Sequence, residues 1–182
     1  PTSPSVPPTL HEAEPVVPEQ TGENVVPLVH EGIRINVHAT PEITRLMQER
    51  QFAFEKDTVE WLMRSVGIGD VMYALGAGVG VYTVIAAKHR GAMVVAFESG
   101  YASYGRLCDN LLLNACDGRV VPVPLELSDR EGLKELKYDR WRAGQDRHRL
   151  REDDWRVRPT SGEHPYVQPV LVTPLDAVIG RY

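Results

Sequence analysis

The sequence predicts an α/β fold built on a parallel sheet, and three observations carry that prediction. Residues 70–75 form an apolar, buried-type strand that runs directly into Gly76, Gly78 and Gly80. A second apolar strand, "AMVVAFE", covers residues 92–98, and a third, "RVVPVPLEL", covers residues 119–127. Between the strands, apolar residues recur at helical spacing: Val81, Val84 and Ile85 with Lys88, then Tyr104, Leu107, Cys108 and Leu111. Strand, helix, strand, helix, strand at these intervals implies parallel strands joined by right-handed crossovers.

The remaining elements follow in chain order. Residues 1–24 hold six of the fourteen prolines, show no amphipathic period, and read as a disordered leader. Residues 25–37, "VVPLVHEGIRINV", alternate enough for one strand or for a hairpin turning near Glu31 and Gly32. Thr40, Pro41 and Glu42 make a helix start: a capping hydroxyl, a proline in the first turn, then an acid near the positive end of the dipole. A short helix is expected over residues 58–65, with Trp61, Leu62 and Val66 on one side. Lys88, His89, Arg90 and Gly91 supply cations and a glycine stop at the end of the helix that follows the glycines. Residues 139–165 have no clean period; seven arginines nearly matched by six acids suggest a solvated excursion, with Trp141 and Trp155 interleaved. Residues 166–179 read as another strand and the opening of a helix. The chain therefore divides into a leader (1–24), an N-terminal strand and helical cover (25–66), and a nucleotide-binding type of domain (67–182).

At 182 residues the chain has room for one domain and an appendage. A formal charge of −5 gives no electrostatic reason to expect a nucleic acid or an anionic membrane as partner. No apolar run approaches a membrane span, and the N-terminal residues lack a signal-peptide layout. Cys108 and Cys116 lack metal-site spacing and read as reduced packing thiols of a cytoplasmic protein. The six histidines form no H-x-x-x-H or H-x-H pair, so no metal site is expected.

Glycines at a strand end let the backbone turn tightly and let a ligand approach its amides, while the next helix offers free N–H groups to an anion. The dinucleotide fingerprint G-x-G-x-x-G would need glycine at 81, where this chain has Val81. The observed G-x-G-x-G suits S-adenosylmethionine, and Glu98, closing the second strand, stands where an acid can take both ribose hydroxyls. The plain alternative is a glycine-rich turn that binds nothing.

With "DVMYALGAGVGVYT", "VVAFE" and "VPLELSD" in place, the stretch from 66 to 132 resembles the core of the FkbM-type methyltransferases, a branch of the class I S-adenosylmethionine enzymes. The likeness extends more weakly to "FEKDTVEWL" and "VLVTPLDAVI". It implies a Rossmann-like parallel sheet with flanking helices, and O-methylation of a hydroxyl on a sugar, polyketide or similar scaffold. It also implies a cofactor site. Gly76, Gly78 and Gly80 would face the methionine end, Glu98 the ribose, and Ser128 with Asp129 the adenine, with Ala77 and Thr83 also in the cofactor site.

The chain departs from the family pattern at several positions. Ala74 and Gly78 stand where the family has an acid and an amide, Ser99 where it has proline, and Glu126 where it has a small residue. The family's Lys-x-Asp-x-Glu-Gly segment and later strands do not appear before Tyr182, so the sheet reads as C-terminally incomplete. No residue stands out as the catalytic base: His30, His38, Glu55 and Asp57 each have a packing or capping explanation. A small-molecule acceptor is the expected partner, and a homo-oligomer stays open. Two other readings compete: a non-catalytic Rossmann-like binding module, and a nicotinamide-dependent oxidoreductase, which Val81 disfavours.

Overall fold

The structure, a computed structural model, describes residues 25–41, 43, 56–138, 143, 144, 148–151 and 166–181. The leader, Glu42, Glu55, Trp141, Trp155 and most of the arginine-rich stretch lie outside the described residues.

Residues 25–38 form a hairpin of β1 (Val25–His30) and β2 (Ile33–His38), with His30 opposite Ile33. Glu31 and Gly32 both take positive φ, 45° and 85°, as the two-residue turn that matches strand twist requires. Ile33, Ile35 and Val37 are buried on one face of β2. The opposite backbone edge, at Arg34, Asn36 and His38, is met by side chains. Asn36 N–H donates to Asn114 Oδ1 (3.0 Å), His38 N–H to Asn110 Oδ1 (2.9 Å), and Asn114 Nδ2 to Asn36 O (2.6 Å). Side-chain amides thus finish an edge that would otherwise invite another strand. Thr40 Oγ1 accepts from Ile43 N–H at 3.1 Å, the capping bond expected of it.

Helix α1 (Lys56–Ser65) starts two residues before the expected 58, with Asp57 in its first turn. Val59, Leu62 and Val66 are buried, whereas Trp61 is 53% exposed. The buried stripe therefore runs i, i+3, i+7 and leaves the tryptophan outside it.

The parallel sheet is as expected: β3 (Val71–Leu75), β4 (Met93–Phe97) and β5 (Val120–Val123), in the order β3-β4-β5. The crossovers are α2 (Val81–Arg90) and α3 (Tyr101–Leu113). Gly91, at φ 69°, ends α2 by returning its N–H to Ala86 O. Ala74, Val94, Ala96 and Val120 meet the helices and hairpin in the main core. Tyr73, Val95, Phe97 and Val123 pack on the other face against Leu125, Leu127, Leu175 and Val178.

The third strand does not run through 127 as one piece. It ends at Val123, where Leu125 N–H folds back to Val123 O at 2.9 Å and turns the chain off the ladder. The chain then joins a second sheet of β6 (Glu126–Leu127), β7 (Gly132–Tyr138), β8 (His148–Arg151) and β9 (Tyr166–Thr173). Its order is β6-β9-β7-β8, with β6 parallel to β9 and the other pairings antiparallel. Strand β8 corrects the reading of 139–165 as a plain excursion. After β9, two short 3-10 turns, Leu175–Ala177 and Ile179–Arg181, replace the expected helix opening. Contacts of Leu175 and Val178 with the parallel sheet, and a Tyr73 hydroxyl donated to Ile179 O at 3.0 Å, fix that compact course.

No helix of the described residues is long and apolar enough to cross a membrane. Both thiols are free, Cys116 buried and Cys108 half-buried, and burial pushes both up from their ordinary range, away from thiolate reactivity.

Candidate functional site

Leu75 and Phe97 are register partners, so β3 and β4 end side by side and their following turns share one rim. In the first turn Gly76, Gly78 and Gly80 all take positive φ, 70°, 58° and 88°. Ala77 N–H donates to Phe97 O at 2.8 Å and Gly80 N–H to Ala77 O at 2.9 Å, which fixes the loop on the second strand. The first helical bond of α2 is Val84 N–H to Gly80 O, 2.8 Å. The amides of Val81, Tyr82 and Thr83 precede that bond and have no partner within the helix. Gly80 caps α2 without a side chain and no acid stands in the first turn, so nothing of the helix's own neutralises its positive end.

Gly80 is required twice over. Beyond its left-handed φ, a Cβ there would sit 2.5 Å from Leu107 Cδ1. From the helix side Asn110, fully buried, donates Nδ2 to Val79 O at 2.8 Å while its Oδ1 holds His38 N–H. This residue ties the hairpin, α3 and the glycine loop together. Thr83, 1% exposed, has a hydroxyl without a hydrogen-bond partner among the described residues.

Glu98 closes the rim. It is only 4% exposed, and its carboxylate clasps both turns. Oε2 accepts from Gly78 N–H and Oε1 from Gly100 N–H, each at 2.8 Å. Two amide donors repay part of the desolvation that a buried carboxylate incurs. The expected ribose acid and glycine loop are therefore in direct contact. Ala74, packed on the main core, offers no second acid beside them.

Two of the departures noted above meet each other: Ser99 Oγ donates to Glu126 Oε2 at 2.5 Å. A hydroxyl–carboxylate bond thus holds the residue after Glu98 where a proline ring would have restrained the backbone. Ser128 and Asp129 follow two and three residues later, in the second sheet's first connection. Ser128 N–H donates to Thr173 O (3.0 Å) and its Oγ accepts from Lys134 Nζ (3.1 Å). The Arg130 guanidinium beside Asp129 lowers that exposed carboxyl to about 2. His30 and His38 are half-buried on the hairpin that packs over α2 and α3, and Asp57 is exposed at the start of α1.

Among the buried polar residues that the sequence reading missed are Asn110, Asn114, Tyr138 and Gln168. Tyr138 and Gln168 lie on adjacent strands of the second sheet, and the Tyr138 hydroxyl donates to Gln168 Oε1 at 2.6 Å. Burial, and next the nearby Glu98 carboxylate, hold the Tyr138 proton on well above the ordinary phenol value of 10.0. The folded state binds this proton more tightly than the unfolded chain does. Stability is therefore intact below pH 10 and falls as pH rises past it. Urea unfolding at pH 8 and pH 10.5 should show that loss, and Tyr138→Phe should show a smaller one. Equal losses would place the alkaline sensitivity elsewhere.

No protein-family profile and no curated protein matches the sequence. Among solved structures, the chain resembles TYW2 of M. jannaschii in complex with AdoMet, at 19% identity and a TM-score of 0.39, over 56% of this chain and 43% of that one. A SAM-dependent methyltransferase from Agrobacterium tumefaciens aligns at 20% identity and a TM-score of 0.40, over 59% and 34%. A tRNA methyltransferase of M. jannaschii aligns at 21% and 0.37, over 56% and 30%. The chain thus spans less than half the length of each of these structures.

Proposed function

We propose that this chain binds S-adenosylmethionine and belongs to an enzyme that methylates a hydroxyl of a sugar, polyketide or related small molecule. One observation carries the cofactor reading. A buried carboxylate at the end of β4 is bonded to the glycine loop at the end of β3, beside a helix N-terminus without an acid of its own. The groups present fit two parts of such a ligand. The open amides of α2 suit its carboxylate, the buried Thr83 hydroxyl in the same turn has no hydrogen-bond partner among the described residues, and Glu98 is an acceptor for ribose hydroxyls. Val81 in place of a third fingerprint glycine weighs against a dinucleotide.

Bound there, S-adenosylmethionine supplies an electrophilic methyl group on a sulfonium. The work of this chain is to hold it: the loop fixes its methionine end, Glu98 its ribose, and both stand on the ends of paired strands of one sheet. The choice of a small hydroxylated acceptor rests on the resemblance of residues 66–132 to the FkbM-type enzymes. It is tested by incubating the chain with S-adenosylmethionine and hydroxylated sugars or polyketides, with tRNA in parallel, and measuring S-adenosylhomocysteine release. Turnover with tRNA alone would overturn the acceptor class, and absence of turnover together with absence of binding would overturn the cofactor reading.

Ala74→Asp provides a finer check. A new acid for the charged methionine end should tighten S-adenosylhomocysteine binding about ten- to a hundred-fold, the worth of one hydrogen bond to a charged group. Because Ala74 packs on the main core, the same change should lower the stability of the ligand-free chain. Unchanged or weaker affinity on titration would show that the methionine end does not lie over position 74.

A further inference from the structure

We infer that Tyr138 and Gln168, on the second sheet, are positioning residues that hold Glu98 in place for the ribose. This inference rests on the reading of Glu98 as the ribose acid. Glu98 Oε1 is bonded to Gly100 N–H, so the carboxylate can be no better placed than the turn of Ser99, Gly100 and Tyr101. Gln168, 0% exposed, brackets that turn. Its Nε2 donates to Ser99 O at 2.6 Å, and its Oε1 accepts from Tyr101 N–H at 3.1 Å. The orientation of the amide is forced, since a backbone carbonyl only accepts and a backbone N–H only donates. The Tyr138 hydroxyl adds a second donor to the same Oε1, at 2.6 Å, and so fixes the bracket from the neighbouring strand.

Gly100 shows how closely these groups converge. A Cβ on it would stand 2.9 Å from the Tyr138 hydroxyl and 3.0 Å from Glu98 Oε1, so phenol and carboxylate face the same side of one residue. The Ser99–Glu126 bond restrains the turn from a third direction, again from the second sheet. A binding acid on the parallel sheet is therefore aimed by side chains of a different sheet, around a glycine whose missing Cβ leaves both groups room.

The test compares two probes by calorimetry on the full chain: S-adenosylhomocysteine and its analogue lacking both ribose hydroxyls, 2′ and 3′. The native chain should prefer the first by about tenfold or more, the worth of a hydrogen bond to a charged group. Tyr138→Phe keeps the ring and removes only the hydroxyl. It should weaken binding of S-adenosylhomocysteine, leave the dideoxy analogue unchanged, and reduce the preference at least threefold. Gln168→Glu, which keeps size and loses the Nε2 donor to Ser99, should do the same if Tyr138→Phe fails to fold. A residue that merely supports the fold would lower the melting temperature and weaken both probes alike, and that result would overturn the inference. Glu98→Gln separates the two levels. If it abolishes the preference while Tyr138→Phe and Gln168→Glu retain it, the positioning role is wrong and the ribose assignment stands. If the preference survives Glu98→Gln, or the native chain has none, the ribose assignment fails and this inference fails with it.

Discussion

Glu98→Gln is expected to weaken S-adenosylhomocysteine binding about ten- to a hundred-fold, since a charged acceptor for the ribose is lost. The fold should suffer as well. The native carboxylate accepts from Gly78 N–H and Gly100 N–H, one on each oxygen. A glutamine amide, either way round, turns an NH2 group toward one of those donors. A buried amide left without an acceptor costs about 1–3 kcal/mol. Titration calorimetry and urea unfolding on the same variant separate the two effects. A loss of stability with affinity unchanged would make Glu98 a clasp between two turns and nothing more.

The second large effect is on stability alone. Gly80→Ala must place a methyl group in a left-handed backbone position, 2.5 Å from Leu107 Cδ1 in the main core. Left-handed strain of about 1–2 kcal/mol and overpacking of about 1–3 kcal/mol together give a loss of about 2–5 kcal/mol. That is a large share of the roughly 5–15 kcal/mol that holds a domain folded. Gly78→Ala is the matched control, with a φ of 58° and nothing within 4 Å of its would-be Cβ. It should lose only the strain of about 1–2 kcal/mol. Equal losses in urea unfolding would show that Leu107 does not press on the loop as described.

The parallel sheet was legible because its signals are local. Each strand is an apolar run, and the glycines that follow β3 are demanded by backbone angles that other residues resist. Gly32 made a hairpin turn one of the two readings of residues 25–37 for the same reason, and the hairpin is the one that forms. The second sheet was hidden. Strand β7 reads "GLKELKY", with Leu136 and Tyr138 buried but Leu133 exposed, and β8 is "HRLR". Neither is apolar enough to declare itself; each is a strand because of a partner distant in sequence. Neither the end of β5 at Val123 nor the switch of the chain into another sheet had a local signal, since Pro122 lies inside that strand and Pro124 just beyond it.

The site divides in the same way. Gly76, Gly78, Gly80 and Glu98 could be picked out because a glycine loop and an acid at a strand end are features of neighbouring residues. Gln168 acts on Ser99 across 69 positions and Ser99 on Glu126 across 27. In the sequence Gln168 is one polar residue in a strand, and Asn110 one amide beside the apolar stripe of α3. Their positions among buried neighbours were the only available signal, since a polar side chain at an interior position needs partners. Which partners those are only the fold decides.

The central claim is that the turn after β3 and the acid after β4 together hold an S-adenosyl ligand. Calorimetric titration of the full chain with S-adenosylhomocysteine, with NAD as control, tests it most directly. Saturable binding of S-adenosylhomocysteine alone is the predicted result. Binding of NAD instead, or of neither ligand by a chain whose unfolding transition shows it to be folded, would contradict the claim.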